Sequence, residues 1–139
     1  MNRRLQLAVL APLLLLTACA TINASKAPDA DLSKFKSFYV VQKQGDQRGI
    51  EKLIAARLVA MGHPATSGEA ASSPNPVDGL VTYQDRWMWD ITMYMIRLNV
   101  QVRDGKTGAI VANAEAMRPS LQRKSPDGMV EEVLGELLK

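Results

Sequence analysis

Apolar and polar positions alternate along this chain in segments that predict strands. The aromatic and β-branched run from Phe35 to Val41 is typical of a strand, and the longer runs from Val77 to Trp89 and from Met93 to Asp104 predict two more. Glycines in residues 104–108 predict a tight hairpin loop that leads into a fourth strand, Ile110 to Ala116. In the third strand, alternate apolar side chains are expected to face the core: Tyr94, Ile96, Leu98, Val100 and Val102.

Two segments instead have the spacing of amphipathic helices. Apolar residues recur at helical intervals from Ile50 to Met61, with Asp46 as the expected N-cap and Gly62 as the C-terminal stop. Ser125 followed by proline predicts the start of a second helix, whose apolar stripe runs to the end of the chain. The stretch between the first helix and the following strand is rich in small residues and predicts a surface loop.

The resulting order, β-α-β-β-β-α, predicts an α+β two-layer sandwich. We expect a mostly antiparallel four-stranded sheet with two helices on one face and a partly solvated opposite face. Residues 32–139 suffice for a single domain. Residues 19–31 are small, polar and proline-containing without an apolar period, so they predict a flexible tether.

Residues 1–18 have the order of an export signal. Arg3 and Arg4 precede an apolar run from Leu5 to Leu16, and small residues follow. A transmembrane helix needs roughly 20 apolar residues, so this run is too short to span a bilayer. The segment is therefore predicted to be a signal peptide.

The end of this segment resembles the lipobox of bacterial lipoproteins, in which small residues and an upstream leucine precede a cysteine. Leu16, Ala18 and Cys19 match that pattern. The resemblance implies cleavage between Ala18 and Cys19, a diacylglyceryl group on the Cys19 thiol, and a new amino terminus that can also be acylated. The membrane would then be a partner through the lipid anchor. Ala20, in place of the aspartate that tends to retain lipoproteins at the inner membrane, favours the periplasmic side of the outer membrane in a Gram-negative host.

Composition excludes several classes of function. The chain has 17 basic and 14 acidic residues, two of the basic ones lie in the leader, and the rest form no basic stripe, so nucleic-acid binding is not supported. Cys19 is the only cysteine and His63 the only histidine, which leaves no typical zinc set. No serine elbow, phosphate-binding glycine loop or dinucleotide fingerprint is present. We therefore expect no catalytic residues, no metal and no cofactor.

Residues 83–94 hold both tryptophans and two of the three tyrosines. If this segment is extended, its alternate residues share one face: Tyr83, Asp85, Trp87 and Trp89. One interpretation is ordinary cross-strand packing, with the rings covering one end of the sheet and Asp90 in the turn. The other is an aromatic platform for a sugar, an acyl chain or a partner protein. The candidate interaction surface is then Asp85, Arg86, Trp87, Trp89, Asp90 and Tyr94.

The pattern Trp87-x-Trp89-Asp90-x-x-x-Tyr94, followed by an alternating strand, a glycine-containing hairpin and a capped terminal helix, resembles a group of small outer-membrane lipoproteins of bacteria. The resemblance covers most of Phe35 to Lys139 and implies the α+β fold without any activity. The order of elements is also similar to that of the small periplasmic domains of ABC-transporter auxiliary lipoproteins, which is a likeness of architecture alone.

Two functions follow as expectations. The first is a lipid-anchored, non-catalytic interaction module of the cell envelope with another envelope protein as partner. The alternative is a carrier or sensor that holds a lipid or a cell-wall fragment between sheet and helices, as an auxiliary component of envelope transport. Whether Trp87 and Trp89 are exposed or buried is the observation that discriminates between packing and an interaction surface.

Overall fold

The computed structural model describes residues 19–139, which form a six-stranded mixed sheet and two helices. The elements are β1 Thr21–Lys26, β2 Phe38–Val41, α1 Ile50–Ala60, β3 Ala65–Gly68, β4 Gly79–Asp90, β5 Thr92–Asp104, β6 Ile110–Met117 and α2 Pro126–Leu137. In the sheet, the strands lie in the order β1-β6-β5-β4-β2-β3. The neighbours β1, β6, β5 and β4 are antiparallel, whereas β2 runs parallel to both β4 and β3.

The α+β class with two helices is confirmed, but the prediction of a four-stranded sheet is wrong, because one further strand flanks each edge. At one edge, residues expected to belong to a flexible tether form β1, which pairs with β6 from Thr21 opposite Met117 to Lys26 opposite Ala112. At the other edge, β3 arises from the expected surface loop. Both edge strands are short, and each places one apolar side chain, Ile22 or Ala65, against the edge of the core. Their other side chains are small or polar, so the sequence shows no extended apolar period there. The predicted signal peptide, residues 1–18, lies outside the described residues.

Both helices cover one face of the sheet and share one hydrophobic core with it. Inward side chains of the four central strands, which include Val40, Val81, Leu98 and Val100, belong to one core cluster with the helices. The helices contribute residues that include Ile54, Leu58, Val133 and Leu137. The inward residues of β6 are Ala112, Ala114 and Ala116, which are completely or almost completely buried. Their small side chains allow α2 to approach the sheet closely.

The ends of the helices only partly match the expectations. Helix α2 begins as predicted, with the Ser125 hydroxyl accepting a hydrogen bond from the backbone N–H of Gly128 at 3.1 Å. The predicted N-cap of α1 is wrong, because Gly49, with φ of 70°, precedes its first residue. Asp46 instead closes a turn by accepting a hydrogen bond from the Arg48 N–H at 2.8 Å.

Strand β5 changes the side that its residues face part of the way along. Leu98, Val100 and Val102 are buried as predicted, but the pairing with β4 shifts between Arg86 and Trp87, which leaves Ile96 as one extra residue in β5. A bulge of one residue reverses the alternation beyond it. Met95 therefore enters the core. Tyr94 is buried as predicted but on the opposite side of the sheet, and Ile96 is only partly buried, so neither belongs to the inward set.

Replacement of Ala114 tests the close approach of α2. Ala114→Leu places three extra carbon atoms between β6 and the helix, and we expect it to lower the free energy of unfolding by about 1–3 kcal/mol because the packed core cannot expand without strain. Urea unfolding followed by circular dichroism measures this change. Ala24→Leu is the matched control, since Ala24 lies directly opposite Ala114 in the register but is exposed on the edge strand. Equal destabilisation by both variants would contradict the packing described here.

Candidate interaction surface

The tryptophan segment forms the far half of β4, and its burial falls steadily along the strand. Tyr83, Asp85, Trp87 and Trp89 share the face that carries the helices, as predicted for an extended chain. Tyr83 is buried and the Asp85 side chain is only 1% exposed, Trp87 is partly buried, and Trp89 is 71% exposed. The two tryptophans therefore belong to different environments: Trp87 packs against the edge of the core, and Trp89 lies mostly in water.

The inner tryptophan is held by polar contacts where the hydrophobic core ends. Its indole N–H donates a hydrogen bond to Asp85 Oδ2 at 2.6 Å, and the guanidinium of Arg48 lies over its ring, 4.3 Å from the centroid. The ammonium of Lys43 pairs with the other carboxylate oxygen of Asp85. Burial opposes ionisation of Asp85, but the hydrogen bonds from Lys43 and Trp87 outweigh it and hold the pKa of this carboxyl below its usual value.

A second polar cluster lies beside the first and fixes the loop between β2 and α1. The hydroxyl of Tyr83 lies 2.5 Å from Asp46 Oδ2 and 3.4 Å from Glu51 Oε2, and it accepts a hydrogen bond from the Lys43 N–H at 3.2 Å. Burial and the bond to Asp46 raise the pKa of Tyr83, so its hydroxyl stays protonated even above the pH at which an exposed tyrosine ionises. These contacts position the loop that carries Lys43 and Arg48.

The hairpin between β4 and β5 ends in an exposed apolar tip. Trp89 and Met93 are cross-strand partners, and Met93 is 48% exposed. Ile91, in the turn itself, is 86% exposed and has φ of 63°, a left-handed conformation that β-branched residues rarely adopt. We call Trp89, Ile91 and Met93 the hairpin tip.

The segment that follows β6 packs beside the hairpin tip and supports it. Arg123 lies over the Tyr94 ring, 4.5 Å from its centroid, and donates hydrogen bonds to Thr92 Oγ1 at 2.8 Å and to the Asp90 carbonyl at 3.2 Å. The Ser120 hydroxyl binds the Asp90 carboxylate. Between these two contacts lies Leu121, whose side chain is 99% exposed. The segment thus adds a further apolar side chain next to the hairpin tip.

The same segment is tied to the rest of the domain at its start. The N–H of Arg118 donates to the carbonyl of the bulged Ile96 at 2.8 Å. Its guanidinium binds Glu132 of α2 through two hydrogen bonds of 3.0 and 2.6 Å, and these hold the pKa of the Glu132 carboxyl below its usual value. The segment that supports the hairpin tip is therefore bound to both β5 and α2.

The six residues predicted as one interaction surface are divided among three places. Asp85 and Trp87 belong to the inner cluster, Arg86 and Tyr94 lie on the opposite face of the sheet, and Trp89 and Asp90 reach the end of the hairpin. The six predicted residues did not include the exposed apolar residues that accompany Trp89: Met88, Ile91, Met93 and Leu121. A bulky apolar residue directly after the predicted turn residue Asp90 was a signal that Ile91 is exposed. Nothing in the local sequence indicates that Leu121 is exposed.

The predicted lipidation residue lies at this end of the sheet as well. Cys19 is exposed. The N–H of Ala20 donates to Gln122 Oε1 at 3.0 Å, and Gln122 is the residue after Leu121. The chain then enters β1 at Thr21. The first described residue is therefore close to the segment that supports the hairpin tip.

A surface cleft of about 550 Å³ lies elsewhere, between the loop after β2 and the residues after β3. No aromatic residue lines it; the lining residues are Gln42, Lys43, Gln44, Gly45, Asp46, Gln47, Glu69, Ala70 and Ala71. Within residues 19–139, no group of three or more histidine, cysteine or acidic side chains is arranged to hold a metal ion. In the same range, no helix has the length and apolar character needed to cross a membrane.

Comparison with solved structures places the fold beside known proteins. The chain is similar to the PelC dodecamer from Paraburkholderia phytofirmans, with a TM-score of 0.64 and 16% identity, over 86% of this chain and 98% of that one. It is also similar to part of a PDZ domain protein from Parabacteroides distasonis, with a TM-score of 0.52 and 12% identity, over 85% of this chain and 35% of that one. No protein-family model and no curated protein matches the sequence. At these identities the similarity is one of fold.

Replacement of Asp85 tests the inner cluster. Asp85→Asn removes the charge that Lys43 and Trp87 stabilise, and we expect it to lower the free energy of unfolding at pH 7 by about 1–3 kcal/mol. Because folding lowers the pKa of Asp85, its stabilising effect is present above the unfolded pKa of about 4 and is lost as the pH falls through the lower folded value. The difference between wild type and variant should therefore shrink below about pH 4.

Urea unfolding at pH 7 and below about pH 4, followed by tryptophan fluorescence, measures the difference in the free energy of unfolding between wild type and variant. Asp29→Asn is the matched control, because Asp29 is exposed, and it should change the stability by less than about 0.5 kcal/mol at pH 7. An Asp85→Asn protein as stable as the wild type at pH 7 would show that the inner cluster does not hold Trp87 in place.

Proposed function

We propose that this protein is a lipid-anchored lipoprotein of the outer membrane that faces the periplasm and acts as a non-catalytic interaction module. Three features support the anchor: the charged, apolar and small-residue order of residues 1–18, the match of Leu16, Ala18 and Cys19 to a lipobox, and the exposure of Cys19. The working surface of the module is the hairpin tip, and its partner is another component of the envelope.

The observation that carries this proposal is the exposure of Trp89. A tryptophan that is 71% exposed keeps most of a large apolar ring in water, next to Ile91 and Met93, which are exposed as well. Contiguous exposed apolar side chains mark interaction sites, and aromatic residues are favoured anchors there. Trp87, two residues earlier in β4, is held by Asp85 and Arg48, so the strand that carries the exposed ring of Trp89 is fixed to the domain.

The sequence-based expectation of a protein partner fits this surface, and the fold itself occurs in an assembled protein, the PelC dodecamer. The alternative function, a ligand carrier or sensor, has one supporting feature, the cleft of about 550 Å³ beside Asp46. Amide and carboxylate side chains in its lining, such as Gln42, Asp46 and Glu69, can hydrogen-bond a cell-wall fragment. The space between sheet and helices is filled by core side chains, so a ligand would bind in the cleft and not under the helices.

Replacement of the cysteine tests the anchor. Cys19→Ser removes the thiol that would carry the diacylglyceryl group, so we expect the protein to leave the membrane fraction of the cells that express it. The domain should remain folded, because all described strands, helices and core residues follow this position. Fractionation and circular dichroism measure the two properties. A Cys19→Ser protein that stays with the membrane through a high-salt wash as completely as the wild type would contradict the anchor.

Photocrosslinking tests the interaction surface. With Trp89 replaced by benzoylphenylalanine in the lipidated chain, irradiation of intact cells should give a covalent product at the hairpin tip, and mass spectrometry identifies what is attached. The matched control carries the same probe in place of Lys106, an exposed residue in the loop between β5 and β6 at the opposite end of the sheet. The interaction module is wrong if both positions give equal products or if neither gives any.

A further inference from the structure

Three observations place the predicted anchor and the hairpin tip at the same end of the domain. Strand β1 starts beside the last residue of β6, where Thr21 pairs with Met117. From there, the chain after β6 runs along the beginning of β5 to the hairpin, where the Ser120 hydroxyl binds Asp90. The link back to the start of the chain is the hydrogen bond of 3.0 Å from Ala20 to Gln122. A single short segment, residues 118–123, thus touches both the amino-terminal end of β1 and the hairpin.

From this arrangement we infer that the hairpin tip inserts its apolar side chains into the same bilayer surface that carries the lipid of Cys19. This inference rests on the proposed function, because it names the partner of the proposed interaction surface. The occupant is a phospholipid surface, and the position of the anchor favours it. Only Ala20 separates Cys19 from β1, so a lipid on this residue would hold this end of the sheet at the membrane.

The side chains at this end have the chemistry of a membrane interface. Tryptophan is enriched where headgroups meet acyl chains, because its ring is apolar and its indole N–H is polar. Trp89 is accompanied by Ile91, Met93 and Leu121, all exposed, so that apolar side chains come from both the hairpin and the segment beside it. The opposite end of β5 lies about 40 Å away, at about 3.4 Å for each of its 13 residues, and carries Asp104 and Lys106 instead.

The nearby charges suit a surface of phosphate headgroups. Arg86 is exposed three residues before Trp89. Lys124, directly after the supporting segment, has 40% of its side chain exposed and pairs with Glu132 of α2 at 3.4 Å. The one acidic residue of the turn, Asp90, is occupied by Ser120 and by Arg123, which lies 3.7 Å from it. Basic residues beside an apolar wedge favour binding to anionic lipids.

The backbone of Ile91 gives an independent reason to assign its side chain a role outside the fold. Glycine or asparagine would adopt a φ of 63° with less strain, and the Ile91 side chain is 86% exposed, so core packing does not explain an isoleucine here. A strained residue that is not needed for the fold is typical of a functional position. Insertion of its side chain into lipid would supply the missing apolar surroundings.

Coupling of Cys19 to a synthetic lipid tests the geometry without any dependence on natural lipidation. The chain from residue 19 onward contains all the elements described above, and its only thiol can be joined to maleimide lipids in vesicles of phosphatidylethanolamine with a minority of phosphatidylglycerol. If the acyl chains are brominated, a tryptophan that enters them is quenched. We expect strong quenching of the anchored wild type and its loss in Trp89→Phe, because Trp87 remains in its cluster below the hairpin tip.

The matched control reverses the orientation. In a Cys19→Ser, Lys106→Cys protein the same chemistry attaches the opposite end of the sheet to the vesicle, and we expect no quenching. Quenching that is equal in both orientations, or absent from the protein anchored at Cys19, would overturn the membrane contact. A protein crosslinked through position 89 in cells, together with absent quenching, would leave the interaction module standing and refute only its lipid partner.

A second variant separates binding from folding. Ile91→Gly removes the side chain and relieves the backbone strain, so the domain should be at least as stable as the wild type. In chains that also carry Cys19→Ser and are sedimented with the same vesicles, we expect Ile91→Gly to weaken partitioning into the bilayer about tenfold. The reason is that one large apolar side chain no longer enters the lipid. Ile110→Gly, at an exposed apolar position at the opposite end of the sheet, should leave partitioning unchanged. Equal partitioning of Ile91→Gly and wild type would contradict the proposal.

Discussion

The ion pair between Lys43 and Asp85 marks the place where the hydrophobic core ends and the projecting hairpin begins. Asp85 occupies an inward position of β4, and its side chain is almost fully buried, so an uncompensated charge there would be costly. Lys43 comes from the loop after β2, and Trp87 donates to the same carboxylate from the next inward position. One carboxylate therefore joins the loop, the strand and the inner tryptophan.

The bulge at Ile96 has a complementary effect on the second strand of the hairpin. Without it, the alternation of β5 would place Tyr94 in the core and Met95 outside. With it, Met95 closes the end of the core while Tyr94 packs under Arg123 on the other side of the sheet. The two faces of the hairpin are thus stabilised by different means: an ion pair and an indole on one, and an arginine over a phenol ring on the other.

The sequence predicted well those elements whose own side chains carry the signal. Alternation identified β4 and β5, and Ser125 with Pro126 identified the start of α2, because burial of a repeated apolar pattern determines such elements. The strands β1 and β3 could not be predicted, since backbone groups make their pairing and each places one apolar side chain, Ile22 or Ala65, against the core. The bulge at Ile96, which reverses the alternation of inward and outward side chains in β5, could not be predicted either, because a one-residue bulge does not change the composition of the strand.

The candidate surface, too, could be predicted only in part. Its aromatic residues were recognised from their density, but a strand pattern does not reveal where the helices that cover it end, and that boundary makes Trp87 internal and Trp89 external. The start of β1 determines how the predicted anchor at Cys19 relates to this surface. Had residues 19–31 formed a flexible tether, an anchor at Cys19 would have left the domain free to rotate above the membrane. Because β1 begins at Thr21, the same anchor would restrict the orientation of the sheet, and the end it would hold down is the one that carries Trp89, Ile91 and Leu121.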